Sequence, residues 1–283
     1  MVSAAPFALA LLRLDGVGRV TAHRVLEHFA SPEALRATPR EQVLLRLKSA
    51  PRADSIVERL FGDELDEAMV AAAAQVSALA PKRVAVLASG DAAWPTGLDA
   101  LPPADRPVAI WAYGHVDAME APALALLGRV GLAPAAFEAA TRLATQFASG
   151  GIVTGAKDGF DLAVQKPAMG AGGRVVAVAP MGLARLTPSL RPGATAVVRA
   201  GGVLVSPFPM SHGPFEHDER EAALMQAALA QVAVGAAPEA GSPEARALEW
   251  ASGAGRAAFA LASGPEGVPV LGADMDAVIQ AAR

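Results

Sequence analysis

The chain predicts an α/β fold in which a parallel sheet, covered by helices on both faces, follows a small all-helical domain. Three observations carry this prediction. Residues 149 to 178 run from an apolar strand (Ile152, Val153) through a small-residue turn (Thr154 to Gly159) and a short helical stretch to Gly172-Gly173 and a second buried strand (Val175 to Val178), a compact βαβ unit. Further short apolar runs alternate with helical stretches up to residue 262, as in an extended Rossmann-like sheet. The N-terminal part reads instead as helices joined by short turns.

Taken in order, Phe7 to Leu14 is an apolar helix, interrupted by Leu14-Asp15-Gly16-Val17-Gly18 before helical periodicity resumes over Val20 to Phe29. The glycines allow a tight hairpin with free NH groups at a helix start. The pattern resembles a helix-hairpin-helix or SAM-like module, in which Gly16, Gly18 and Arg19 would contact a phosphate, with Arg24 nearby. Gly-Val-Gly turns also join purely structural helices, and both readings stand. Ser31-Pro32-Glu33 starts another helix, with Ser as N-cap and Pro at the first helical position. Asp63 to Ala80 is an Ala-rich helix with an acidic first turn, as the helix dipole favours. Pro81-Lys82 then leads into a β-rich run, Val84 to Ala88, so the expected domains are residues 1–80 and 81–283. In the second domain the alternation is Ala123 to Leu127, Ala135 to Ser149, Ile152 to Thr154, Phe160 to Gly170, Val175 to Ala179, Ala196 to Arg199, Val203 to Ser206, Phe215 to Leu229, Val232 to Gly235, Ala245 to Ala251 and Ala257 to Ala262. Ligands bind such sheets beyond the strand C-termini, where the loops after Leu127, Val153 and Val234 are expected to converge.

Composition excludes several classes. With 53% hydrophobic residues in 283 there is ample material for a core, and 27 glycines with 22 prolines supply turns. No apolar run approaches the roughly 20 residues of a membrane span, and a basic region followed by an apolar core is missing at the N-terminus, so the expected location is cytoplasmic, with no membrane partner. The chain has no cysteine, which removes disulfides, thiolate chemistry and cysteine-ligated zinc. A formal charge of −4 sits awkwardly with nucleic-acid binding, which draws on Lys and Arg. The distribution is uneven. Between Met210 and Gly255, Arg220 and Arg246 face Glu216, Asp218, Glu219, Glu221, Glu239, Glu244 and Glu249, a balance of 2 − 7 = −5, so a polyanion is expected to avoid this stretch.

The glycine-rich turn reads Thr154-Gly155-Ala156-Lys157-Asp158-Gly159-Phe160-Asp161, followed by Val164-Gln165 and Ala168-Met169. It resembles the signature S-G-x-A-x-G-I-D-x-x-A-H-x-x-A-L of the DNA-processing protein family (DprA, also called Smf), with Gln165 at the signature His. Trp94-Pro95-Thr96-Gly97-Leu98 and Trp111-Ala112-Tyr113-Gly114 look like the family's Y-P-x-x-L and L-Y-x-x-G elements. Ser206-Pro207-Phe208-Pro209 looks like S-E-x-P, and Phe215 to Arg220 falls where F-P-x-R-N-R is expected. The resemblance implies binding of single-stranded DNA and its delivery to a RecA-type recombinase in natural transformation and recombination, without catalysis or cofactor, by a homodimer paired through the C-terminal half of the sheet domain. The implied nucleic-acid-binding residues are Gly128, Arg129, Gly155, Lys157, Gly159, Lys166, Arg174 and Arg220.

Departures from the pattern thin out the anion contacts. The family's V-G-S/T-R loop stands here as Leu127-Gly128-Arg129-Val130, and Asp218 and Glu219 replace an Arg and an Asn. A carboxylate in place of an arginine adds repulsion as well as removing attraction. Two other classes of function therefore stay open: a paralogue that has lost DNA binding and acts as a protein-interaction partner, and a nucleotide-binding or nucleotide-hydrolysing Rossmann-like protein. No catalytic constellation is visible. Asp161 reads as fixing its turn rather than as an acid/base partner of Lys157. His212, His217 and Asp218 have loose metal-like spacing but read as a solvated loop, so no metal is expected. Ser89 and Ser206 lack a nucleophile elbow, and Trp111, Tyr113 and Trp250 read as core or interface aromatics before base-stacking platforms.

Overall fold

A computed structural model describes residues 3–157, 159–271 and 275–282. It divides into two compact units, one of Met1–Trp94 with Pro102–Ile110 and one of Pro95–Leu101 with Trp111–Arg283.

The first unit holds α1 (Ala5–Leu11), α2 (Arg19–His28), α3 (Pro32–Arg36), α4 (Arg40–Leu47), α5 (Ala53–Phe61), α6 (Asp63–Leu79) and the strand β1 (Val84–Ala88). Its core is aliphatic, with Leu11, Leu35, Leu47, Ile56, Leu60 and Leu65 fully buried. Ser31 caps α3 by accepting from the Ala34 N–H at 3.2 Å, and α6 opens on Asp63, Glu64 and Asp66. The first helix ends three residues earlier than its periodicity suggests, because the chain already turns at Leu12 toward the Gly16 hairpin. The amphipathic helices α4 and α5 are additions to the elements expected from the sequence.

The second unit is built on β2 (Ala109–Gly114), β3 (Leu124–Leu127), α7 (Pro134–Gln146), β4 (Ile152–Gly155), α8 (Phe160–Gly170), β5 (Val175–Val178), α9 (Arg191–Arg199), β6 (Val203–Ser206), α10 (Asp218–Leu229), β7 (Val232–Ala236), α11 (Pro243–Gly253), β8 (Ala257–Leu261), β9 (Val270–Leu271) and α12 (Asp276–Ala281), with the first two residues of β2 counted in the other unit. The strands run in the order β2-β6-β5-β4-β3-β7-β8-β9. All these pairs are parallel except β2 with β6, whose register sets Trp111 opposite Ser206. Every residue of β3, β4, β5 and β6 is buried, as a parallel sheet covered on both faces requires. The fold is thus the α/β, Rossmann-like sheet that the alternating apolar runs predict. The Trp111-Ala112-Tyr113-Gly114 motif is itself a strand, and Trp111 is buried within it. Among the described residues no helix is long and apolar enough to cross a membrane.

Candidate functional site

Beyond the C-terminal ends of β3, β4 and β5, the first turns of α8 and α10 close over a crevice. Its deep part is lined by Leu127, Gly128, Gly155, Asp161, Glu219 and Glu244 and retains only about 10 Å³ of free space. An outer cavity of about 930 Å³ is bounded by Lys157, Pro180, Phe215, His217, Arg220 and Arg246.

Local packing explains why the deep part is full. Gly155 ends β4, and a Cβ there would overlap the Asp161 carboxylate, whose Cγ lies 2.9 Å from the Cβ position. Asp161 is buried, and its Oδ2 accepts from the Lys157 backbone N–H at 3.0 Å. The strand-to-helix turn that could receive a phosphate oxygen therefore already holds a carboxyl group supplied by the first turn of α8. Gly159 begins that helix with φ +75°, a conformation that side chains resist, and a Cβ on it would stand 2.7 Å from Val130. A Cβ on Gly128 would stand 2.7 Å from the Phe160 ring. Gln165 is buried and its Nε2 donates to Thr154 Oγ1 and to the Gly155 carbonyl, both at 2.9 Å, so it ties α8 to the end of β4. Asp158 lies outside the described residues.

Burial pushes the Asp161 carboxyl from its ordinary 3.8 up to about 7, against the Lys157 N–H bond and the Lys157 charge, which pull it down. The folded state then holds this proton more tightly than the unfolded chain. The group's contribution is most favourable below the unfolded pKa and is lost as pH rises to the folded one, between about 4 and 7. At about 1.4 kcal/mol per unit this is a few kcal/mol. Asp161→Asn keeps an acceptor for Lys157 and carries no proton to lose, so its unfolding free energy from urea titrations should be flatter than the wild type's across that window. Parallel pH profiles for the two proteins would show that Asp161 ionises freely in the fold.

Lys157, in the crevice, and Arg129, beside it, are matched by carboxylates from distant parts of the chain. Lys157 Nζ lies 3.3 Å from Glu219 Oε2, and Arg129 is paired with Glu239. Arg220 bounds the outer cavity. Lys166 is exposed on α8 and lines neither part of the crevice. Arg174 is not brought here at all. It directly precedes β5, its carbonyl accepts from the N–H of Ile152 at the start of β4, and its guanidinium pairs with Asp117 at 2.7 Å, which places it at the opposite end of the parallel strands. In the first unit, Gly16 has φ +80°, Gly18 precedes α2 in extended conformation, and Arg19 donates to the Ala104 carbonyl at 2.9 Å.

One expectation about the acidic stretch changes. It is not kept apart from the crevice, because α10 packs on β3, β4 and β5 and brings its acidic first turn to their C-terminal ends. The same packing makes Arg246, which sequence reasoning set only within the acidic stretch, a wall of the outer cavity. Residues 214–217 are exposed, as the solvated loop expected there requires, but Asp218, which opens α10, is fully buried. Nothing local marks either feature in the sequence.

A family model described as DNA recombination-mediator protein A matches residues 85–275. No curated protein matches the sequence. The solved structure of DNA processing protein A from Streptococcus pneumoniae superposes with a TM-score of 0.59 at 16% identity, covering 94% of this chain and 91% of that one. DNA processing protein A from Helicobacter pylori, solved for its single-stranded DNA binding mode, superposes with a TM-score of 0.55 at 18% identity over 66% of this chain and 84% of that one. At such identities the two structures speak for the fold.

Proposed function

The chain belongs to the DNA recombination-mediator protein A family, and from that membership we propose that it binds single-stranded DNA weakly and without catalysis, at the outer cavity beyond the C-terminal ends of the sheet. The observation that carries this reading is the match of the family over residues 85–275, together with a cavity of about 930 Å³ that Lys157, Arg220 and Arg246 border. A flexible single strand can enter such a space where a duplex cannot. Under this reading the protein acts as a homodimer, hands DNA to a RecA-type recombinase, and uses residues 1–80 as a helical accessory domain whose Gly16–Arg19 hairpin is a secondary phosphate contact.

Titration of labelled oligo-dT at low salt tests it. With roughly three phosphates neutralised, log affinity should fall by about 2 per log unit of salt on a single strand. Lys157→Glu with Arg246→Glu should abolish binding, and light scattering of the same samples should give a dimer mass. Unchanged affinity in the double variant would move the DNA site away from the cavity.

A second reading rests on the carboxylates that face the cations. Lys157 with Glu219 and Arg129 with Glu239 leave less charge for a polyanion than their number suggests. In this reading the chain has exchanged DNA for a protein partner, and the wild type fails to bind oligo-dT even at low salt.

A further inference from the structure

We propose that His212, His217 and Asp218 form a binding site for a divalent transition-metal ion of the zinc type. One ligand atom from each residue lies within 4.8 Å of the other two. His212 Nε2 stands 3.0 Å and His217 Nε2 3.3 Å from the same carboxylate oxygen, Asp218 Oδ1. Around a tetrahedral ion with metal–ligand bonds of about 2.0–2.2 Å, ligand atoms stand about 3.3–3.6 Å apart. The His217 separation already matches that spacing; the His212 separation has to open by a few tenths of an ångström, and the imidazole–imidazole gap has to adjust. Without an ion the His212 Nε2–H donates to Asp218 Oδ1; an ion takes the place of that proton, the ring adopting the Nδ1–H tautomer that presents its Nε2 lone pair.

The ligands are oriented by groups behind them. The other carboxylate oxygen, Asp218 Oδ2, accepts from the Phe215 N–H at 2.8 Å, which fixes Oδ1 toward the two rings. The His212 ring stacks on Phe208 at 4.5 Å and meets the edge of Phe215 at 5.1 Å. Phe215 in turn stacks on His217 at 5.8 Å. Arg185 Nε donates to the Gly213 carbonyl at 3.1 Å and holds the turn between the histidines. Two nitrogens and one oxygen suit Zn²⁺, Co²⁺ or Ni²⁺ rather than Mg²⁺ or Ca²⁺, which prefer all-oxygen shells.

Charge is compatible. The ion would sit at the positive end of α10, worth about half an elementary charge, and Asp218 alone supplies a full negative charge against it. The surrounding residues 210–255 carry the net −5. Asp218 is fully buried, whereas the His217 side chain is 71% exposed, so a fourth position is left to water or an exogenous ligand. The interior carboxylate with its two histidines thus has a use beyond pinning a loop.

Metal-stripped full-length protein titrated with Co²⁺ reads this out through visible absorption, with Zn²⁺ as competitor. The expected result is one ion per chain, with the absorption of a four-coordinate site that Zn²⁺ displaces. His217→Ala removes an exposed ring and should leave the circular dichroism intact while weakening binding by more than the roughly 10–100-fold that follows loss of a mere supporting group. His212→Ala should do the same. Absence of binding at micromolar metal, or binding that persists in His217→Ala and so belongs to His23, His28 or His115, would overturn the proposal.

Discussion

Replacing Glu219 and Glu239 together by glutamine should strengthen single-stranded DNA binding on the order of tenfold at low salt and steepen its salt dependence by about 1.4 log units per log salt, two phosphates at about 0.7 each. The expectation follows from the two ion pairs. Glu219 faces Lys157 at 3.3 Å and Glu239 faces Arg129, which follows the crevice residue Gly128, so each carboxylate competes with phosphate for a cation in or beside the crevice. Both carboxylate side chains are about half or more exposed, at 47% and 66%, and such pairs contribute at most about 1 kcal/mol to folding. Stability should therefore hardly change. The same change in net charge made at the exposed Glu41 and Glu67 of the helical unit is the control, since it adds no cation to the crevice. If both double variants bind alike, the gain is a matter of net charge and the crevice is not the DNA path. If neither binds, the protein-partner reading is favoured.

The second large effect is on folding. Gly155→Ala should cost about 3 kcal/mol or more, measured by urea unfolding, because its methyl would occupy space held by the Asp161 carboxylate. Asp161 cannot swing away cheaply, since it is buried and holds the Lys157 N–H. The cost should be strongly coupled. In an Asp161→Ala background the carboxylate is gone, and adding Gly155→Ala should then cost about 1 kcal/mol, the ordinary scale of a substitution without a clash. Additive effects in this cycle would mean that the strain comes from the backbone of the turn and not from Asp161.

Several features were legible in the sequence because their causes are local. Ser31 before Pro32 caps a helix whatever surrounds it. The small residues from Thr154 to Gly159 announce a strand-to-helix turn, and the structure begins α8 directly after Gly159. Asp161 reads as a turn-fixing residue, and its bond to the Lys157 N–H is of that kind. Other features have causes spread along the chain. Arg129 and Glu239 are 110 positions apart and Lys157 and Glu219 are 62 apart, so no window of sequence contains either pair. Arg174 looks like part of the crevice because it is near the signature in sequence, yet a crossover of eleven helical residues carries the chain from one end of the strands to the other. Proximity along the chain is poor guidance in a βαβ unit, where consecutive loops alternate between the two ends of the sheet.

By itself the sequence determined the class of this protein: apolar runs of strand length separated by helices admit a parallel sheet with covered faces, and little else buries them. It also determined the family, through motifs whose order spans most of the chain. Only the tertiary structure decided what the crevice contains. Packing of α10 across β3, β4 and β5 set Glu219 against Lys157. The loop before α10 gathered His212 and His217 around a buried Asp218. The physical reason is one of range. Strand and helix formation respond to neighbours a few residues away, whereas a charge is read against whatever the completed fold places within about 4 Å of it.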